Sequence, residues 1–232
     1  MYVLHIGNKN YSSWSLRPWV LLRQHAIDFT ERLSHFGAGS NWEAFRAFSP
    51  NGQVPCLHDG DVRIWESLGV VEYLAERHAG LWPADPRARA WARCAAAEMH
   101  AGFATLRQRC TMNCGLRVRL RDMPPALQRD IARMSELWNE GLARFGGPFL
   151  AGSGFTAVDA FFAPVAFRVQ TYGLALDGAA DSYAKRLLDL PAMRAWEAAA
   201  LIEPWREPGH EEEARQTGIV IEDRRSPAAA TG

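Results

Sequence analysis

A chain of 232 residues with 48% hydrophobic and 22% charged side chains is typical of a soluble globular protein with one large or two small domains. Its 26 basic and 26 acidic residues balance, which argues against nucleic acid or an anionic membrane surface as the main partner. No apolar run approaches ~18 residues, so we expect no membrane span.

The N-terminal residues and the cysteines indicate the cellular compartment in which we expect the protein. Residues 1–7 lack the basic and long apolar regions of a signal peptide. Four cysteines without a Cys-x-x-Cys pair are typical of free thiols in a reducing compartment, so we expect a cytoplasmic protein. They are Cys56, Cys94, Cys110 and Cys114. The histidines do not cluster with them at ligand spacing, and we therefore expect no metal site.

The first 80 residues follow the order strand, helix, strand, helix, strand, strand, helix, which predicts a thioredoxin-like fold. A polar loop over 8–15 separates the first strand from a helix over 16–25. Asp59-Gly60 is a strong hairpin signal between two apolar runs, and a helical pattern follows over 68–79. The remaining predicted segments are strands over 2–6 and 27–33 and a short helix over 41–48.

Residues 49–67 combine features that suit the binding of a short peptide. Pro55 stands at the start of a strand, where a missing N–H is tolerated. The hydroxyl of Ser67 and the free N–H groups of the helix behind it form an anion site. A strand edge beside a helix N-terminus can therefore hold a short peptide with a free carboxylate.

The composition changes after residue 80. A proline-bearing linker over 81–86 leads into long helical patterns over 87–110 and 125–145, and we expect no strand beyond the linker. Thr156 and Asp159 form a capping box that opens a very apolar helix containing Pro164. Two shorter helices follow, over 181–189 and 192–201. Residues 206–232 read as a polar tail that is partly disordered.

Several of these motifs, in this order and spacing, resemble the cytosolic glutathione S-transferase family over roughly residues 1–205. The motifs are Gln53-Val54-Pro55, Asp59-Gly60, Glu66-Ser67-Leu68 with Tyr73-Leu74, and the Thr156/Asp159 box with Pro164. The loop Ser12-Ser13-Trp14-Ser15-Leu16-Arg17 resembles that of the zeta class, although Trp14 stands where the zeta loop has cysteine.

The resemblance implies a thioredoxin-like glutathione-binding domain over 1–80 and an all-helical domain over 87–205. It also implies a cytoplasmic homodimer that uses glutathione as co-substrate and no metal. The expected function is detoxification, in which the enzyme transfers the glutathione thiol to a small electrophile.

The glutathione thiol requires help from the protein to ionise near neutral pH. Lowering its pKa from ~8.5 to near neutrality corresponds to roughly 2.7 kcal/mol, and one hydrogen bond to a charged group supplies about 1.5–3 kcal/mol. The position of Ser12 in the family loop makes it the first candidate donor, followed by Ser13 and then Tyr11. The alternative for the serines is helix capping, which can coexist with the chemical role.

The resemblance assigns the remaining glutathione contacts. It implies a cis Val54–Pro55 bond, with the Val54 main chain meeting the cysteinyl part, and Gln53 is a weaker candidate. Glu66 would meet the γ-glutamyl ammonium and Ser67 the carboxylate. The alternatives are an ordinary strand-start proline, a surface charge and a helix cap.

The second substrate should lie between the domains, against the helix that begins the second. Met99, His100 and Phe103 are the candidate wall. Met99 and Phe103 fit the core stripe of that helix equally well, and His100 could be a solvated side chain.

Three rival functions stay open. A zeta-like glutathione-dependent isomerase would act on a cis-dienone diacid. A non-catalytic module would keep the fold for binding glutathione or another ligand. A disulfide reductase would need a cysteine at or close to Ser12.

Overall fold

The structure is a computed structural model that describes residues 1–37 and 39–227. Its first half holds a four-stranded sheet in the order β2-β1-β3-β4, in which β1 and β2 are parallel and the other pairs antiparallel. The elements are β1 (Tyr2–Ile6), α1 (Ser13–Gln24), β2 (Phe29–Leu33), α2 (Trp42–Arg46), β3 (Cys56–Asp59), β4 (Val62–Trp65) and α3 (Ser67–Ala75). The predicted thioredoxin-like fold is confirmed.

Apolar residues at strand and helix spacing assemble this half. Leu4 and Ile6 alternate along β1, and both are fully buried with Leu57 of β3. Gly60 has φ +60° in the β3–β4 turn, a conformation that favours glycine over residues with a Cβ. Because β1 and β3 are antiparallel, the loop after β1 and the start of β3 lie at the same edge of the sheet.

The second half is mainly helical, as predicted, but carries one additional small sheet. Its elements are α4 (Pro86–Ala101), α5 (Ala104–Arg109), β5 (Leu116–Leu120), α6 (Pro125–Phe145), α7 (Ala157–Tyr172), α8 (Ala179–Asp189), α9 (Pro191–Leu201), α10 (Pro208–Thr217) and β6 (Gly218–Asp223). Within the described residues, no helix is both long and apolar enough to span a membrane.

The helix predicted over 87–110 is in fact two helices. It breaks at Gly102 and Phe103, where Phe103 has φ +53°. A Cβ on Gly102 would stand 2.7 Å from the Glu98 carbonyl oxygen, so glycine permits the chain to turn sharply here. The break turns α5 away from the axis of α4.

Helix α7 forms the centre of the second half and packs against α1 of the first. The predicted capping box at its start is present: the Asp159 carboxylate accepts from Thr156 N at 2.8 Å and also from Leu150 N at 3.0 Å. The Tyr183 hydroxyl donates to the same carboxylate at 2.8 Å. Burial raises the pKa of Asp159, and these hydrogen bonds oppose that rise.

Two predictions about the later chain are wrong. Strand β5 lies where no strand was expected, and residues 208–223 form α10 and β6 where a polar tail was expected. Strand β6 pairs antiparallel with β5, and the close approach requires Gly218, since a Cβ there would stand 2.6 Å from the Arg119 carbonyl oxygen. Residues 228–232 of the predicted tail lie outside the described residues.

Candidate active site

A cleft of about 890 Å³ opens between the two halves of the chain and under α10. Its sheet-side wall contains Ser12, Ser13, Val54 and Glu66. Its helix-side wall contains Arg107, Met112 and Arg168, and the cover contributed by α10 and the residue before it contains Glu207, His210 and Glu213. The three parts belong to elements that are distant in sequence.

The loop between β1 and α1 is held in place by the second half of the chain. The Trp196 Nε1–H donates to the Lys9 carbonyl at 2.8 Å, and the Lys9 N–H donates to Glu203 at 2.7 Å. The Gly115 N–H donates to the Asn10 side chain at 3.2 Å. These contacts fix the N-terminus of α1 relative to the helix-side wall. Because they join residues that are distant in sequence, local sequence does not encode this placement.

Three serines lie at the N-terminus of α1. The hydroxyl oxygens of Ser12 and Ser15 are 2.7 Å apart, and Ser15 also accepts from Gly7 N at 3.1 Å. Ser12 is 6% exposed and Ser13 is half-buried, and both line the cleft. Among the described residues, the Ser13 side chain makes no hydrogen bond. Ser12 is therefore the more firmly positioned of the two cleft hydroxyls.

The Tyr11 hydroxyl is engaged by α10 and not by the serines. It donates to Glu211 of α10 at 2.7 Å, and Arg225 pairs with the same carboxylate. Its ring stacks on His210 with centroids 4.9 Å apart. Burial and the Glu211 carboxylate raise the pKa of Tyr11. Tyr11 therefore anchors the cover.

The Val54–Pro55 bond is cis, as the family resemblance implied. The β3 ladder begins at Cys56, which pairs with Trp65, so Val54 precedes the paired residues. In the part of the chain that the structure describes, no hydrogen bond outside the helices and strands uses the Val54 main chain. Gln53 is exposed beside it on the cleft. Both are accessible to a bound peptide.

Glu66 is held in an uncommon backbone conformation, with φ +69°, immediately before α3. One carboxylate oxygen accepts from Ser67 N at 2.9 Å, and the other lies 2.7 Å from His100 Nε2. Ser67 is fully buried behind the cleft lining, where its hydroxyl accepts from Arg17 at 3.3 Å. Positive-φ residues held by their surroundings cluster at functional sites.

The candidate wall for the second substrate needs correction. Met99 and Phe103 are 1% and 7% exposed within the core, because the inner face of α4 packs on α7. His100 instead contacts Glu66 and the edge of the Trp14 ring. None of the three lines the cleft, and Arg107, Thr111, Met112 and Arg168 occupy the expected place.

The sequence reasoning missed three arginines: Arg17, Arg107 and Arg168. The guanidinium groups of Arg17 and Arg107 lie 4.0 Å and 5.7 Å from the centre of the Trp14 ring. Burial and neighbouring arginines lower the pKa of Arg17 to about 9 and that of Arg168 to about 10. A lone arginine in an otherwise apolar helix, as in α7, is the signal that could have identified Arg168.

The four cysteines differ in exposure, and Cys94 is the exposed one. All four are free, and Cys56, Cys110 and Cys114 are buried. Burial raises the pKa of Cys110 to about 12, so its thiol is protonated at neutral pH. No cluster of three potential metal ligands occurs in residues 1–37 and 39–227.

Two models of one family match this chain. The N-terminal domain model of glutathione S-transferase matches residues 11–77, and the C-terminal domain model matches residues 118–199. Together they cover more than half of the chain.

Curated relatives agree over shorter stretches. A glutathione S-transferase of Arabidopsis thaliana is 30% identical over 133 residues, which are 53% of this chain and 52% of that protein. The dichloromethane dehalogenase of Methylophilus leisingeri is 40% identical over 57 residues, 24% of this chain and 21% of that protein. The chain thus spans about half the length of the first relative and less of the second.

Solved structures share the fold over nearly the whole chain. A Burkholderia glutathione transferase homologue with bound glutathione has a TM-score of 0.65 at 20% identity, covering 86% of this chain and 97% of its own. A theta class enzyme of Xanthomonas axonopodis with bound glutathione has a TM-score of 0.62 at 23% identity, covering 87% and 98%. With both domain models matched in order, this chain belongs to the glutathione S-transferase family.

Proposed function

We propose that this protein is a glutathione transferase that activates the glutathione thiol with the hydroxyl of Ser12. The observation that carries the proposal is the serine cluster at the N-terminus of α1, open to a cleft whose adjacent residues are Val54 and Glu66. Relatives named as glutathione S-transferases and related structures with bound glutathione support it.

Glutathione fits the sheet-side wall by the chemistry of its groups. The Val54 N–H and C=O can bind the cysteinyl part as an added strand would. The Glu66 carboxylate suits the γ-glutamyl ammonium, and its hydrogen bond from Ser67 N fixes its orientation. Ser67, the residue expected to meet the γ-glutamyl carboxylate, lies buried behind this wall beside the Arg17 cation, and the positive charge there favours a carboxylate in front of it.

Ser12 then stabilises the thiolate through a short hydrogen-bond chain. In the structure the Ser12 hydroxyl donates to Ser15 Oγ. Hydroxyl protons rotate to suit their partners, so when a thiolate binds, Ser15 can donate to Ser12 while it accepts from Gly7 N. The Ser12 hydroxyl can then donate its hydrogen bond to the glutathione sulfur. Ser15 is thereby a positioning residue, and hydrogen bonds in such a chain polarise one another.

The positive charge of two arginines near the serines acts in the same direction. Arg107 and Arg17 flank Trp14, next to the serines. A nearby cation favours the charged form of a thiol and lowers its pKa.

In the reaction the thiol proton goes to solvent, the sulfur forms a bond to the electrophilic carbon, and the leaving group takes the electron pair of the bond that breaks.

The test is turnover of chlorodinitrobenzene with glutathione by wild type and two matched variants. We expect Ser12→Ala to lose at least about tenfold in kcat/KM, because one hydrogen bond to the thiolate contributes about 1.5–3 kcal/mol. Ser13→Ala should stay near wild type, and calorimetry should show glutathione bound by all three. An unchanged rate for Ser12→Ala with a loss for Ser13→Ala would move the role to Ser13.

The finer expectations remain proposals. A zeta-like isomerase is the alternative activity, supported by the resemblance of residues 12–17, and turnover of a cis-dienone diacid would establish it. The cytoplasmic location and the homodimer rest on the same family resemblance. Absence of glutathione binding at millimolar concentration would favour a non-catalytic module.

A further inference from the structure

Two arginines of the helix-side wall, and Arg17 of α1 beside them, have no ion-pair partner in the part of the chain that the structure describes. Arg17, Arg107 and Arg168 form no salt bridge there, and the Nε–H of each is buried without a hydrogen-bond partner. Arg168 is 4% exposed, yet it lines the cleft. Buried charges are normally paired, so three neighbouring guanidinium groups without carboxylate partners require an explanation.

The groups around them do not neutralise this charge. Burial raises the pKa of Tyr172 and of Cys110 to about 12, so both are uncharged beside Arg168 at neutral pH. The Arg168 guanidinium donates instead to the carbonyls of Arg107 and Cys110. Two carboxylates attract these arginines electrostatically without forming a salt bridge. Glu66 acts on Arg17, and the exposed Glu213 acts on Arg168.

Arg107 and Arg168 lie apart from the proposed glutathione contacts, whereas Arg17 lies beside Ser67. Val54 and Glu66 belong to the sheet-side wall, whereas Arg107 and Arg168 stand on α5 and α7 across the cleft. Arg107 lies over Trp14, next to the serine that would hold the sulfur. Trp14 and Met112 supply an apolar surface in the same region.

We propose that Arg107 and Arg168 form an anion subsite for the second substrate, and that this substrate is a planar aromatic electrophile carrying a carboxylate or sulfonate. The proposal rests on the glutathione transferase function proposed above. An Arg–carboxylate contact supplies paired, charge-assisted hydrogen bonds, and the aromatic ring packs on Trp14 and Met112. Glu213 at the rim weakens the attraction.

The test compares 4-chloro-3-nitrobenzoate with its methyl ester, which share the reacting carbon and differ in charge. In both, the C–Cl bond breaks, an S–C bond forms, and chloride and the thiol proton leave to solvent. Each kcat/KM is divided by the uncatalysed rate constant with glutathione. We expect wild type to accelerate the benzoate at least about tenfold more than the ester, as a charge-assisted contact predicts.

Three variants sharpen the comparison. Arg107→Gln should lower acceleration of the benzoate at least about tenfold more than that of the ester, whose own loss measures the effect of the cation on the thiol. Glu213→Gln should raise acceleration of the benzoate by about twofold, the scale of an exposed charge. Arg168→Lys keeps the buried charge without the planar fork and should also lose selectivity for the benzoate, with circular dichroism confirming its fold.

Other outcomes overturn the proposal. Equal losses for benzoate and ester in Arg107→Gln would make the residue structural, and a weaker glutathione Kd in that variant would assign the arginines to the glutathione carboxylates. If neither compound is turned over, the proposed transferase function fails. The subsite is then tested by calorimetry with unreactive 3-nitrobenzoate and its methyl ester: binding of the anion that Arg107→Gln abolishes supports it, and equal or absent binding contradicts it.

Discussion

The two walls of the cleft differ in how their charges are satisfied. On the sheet-side wall, the Glu66 carboxylate has an N–H donor and a histidine partner, and Ser15 accepts an N–H behind Ser12. On the helix-side wall, Arg107 and Arg168 have carbonyl partners but no carboxylate among the described residues. The first wall is organised before a ligand arrives, whereas the second is electrostatically incomplete without one.

The largest expected effect comes from removing the support of the helix-side wall. Asp159→Ala should lower the free energy of unfolding by about 3–5 kcal/mol, because several buried donors lose their acceptor at about 1–3 kcal/mol each. Denaturant unfolding measures it. Asp181→Ala removes an exposed pair with Lys185 and should cost below about 0.5 kcal/mol. Similar losses in the free energy of unfolding for both variants would contradict the stabilising role of the Thr156/Asp159 capping box.

The next effect tests the sheet-side wall. Glu66→Gln keeps the shape and the hydrogen bond from Ser67 N but loses the charge, so the glutathione Kd should rise about tenfold or more. Calorimetry measures it, with Glu72→Gln on the exposed face of the same helix as control. An unchanged Kd would remove Glu66 from the contacts of glutathione.

A smaller effect tests whether Tyr11 belongs to the cover and not to the chemistry. Tyr11→Phe removes the hydroxyl that donates to Glu211, so stability should fall by about 1.5 kcal/mol while kcat stays within about twofold. Thermal unfolding and turnover are measured on the same sample. A large loss of kcat in a stable variant would restore Tyr11 as a thiolate donor.

The smallest effect is a pH dependence of the cover. Burial alone would raise the pKa of Glu211, but hydrogen bonds from Arg225 and Tyr11 lower it, and Arg225 also lowers the pKa of Asp223. A lowered folded-state pKa gives stability that is present above the ordinary value and is lost as pH falls through the folded value. The protection of residues 208–223 against hydrogen exchange, taken relative to the intrinsic exchange rate at each pH, should therefore fall under acidic conditions, below the ordinary carboxyl values of 4.5 and 3.8.

Glu211→Gln is the control for that pH dependence. It removes the titrating group, so protection of the cover against exchange should be lower at neutral pH and should change less on acidification. Equal pH dependence in wild type and variant would show that other groups determine it.

Local motifs predicted the sheet-side wall well. Asp59-Gly60 gave the hairpin, and Ser12, Val54 and Glu66 do line one cleft. Each of these signals spans only a few residues, and each specifies a turn, a cap or a strand start. The roles of these residues toward glutathione stay predictions.

The helix-side wall could not be predicted in the same way. Strand β6 pairs with a strand about one hundred residues earlier, and Glu203 reaches back to Lys9, so only tertiary packing brings them together. The break at Gly102 redirects α5 and brings Arg107 to the wall, whereas the packing of α4 on α7 buries Met99. A long helical periodicity does not reveal such a break.

The central claim is that the Ser12 hydroxyl stabilises the thiolate of bound glutathione, and the pKa of that thiol tests it most directly. Thiolate absorbance of the glutathione complex is followed across pH for wild type and for Ser12→Ala. We predict a wild-type pKa about 2 below the ~8.5 of a free thiol, and a rise of at least about 1 in the variant. Equal values in the two proteins, or a wild-type value near that of free glutathione, would contradict the account.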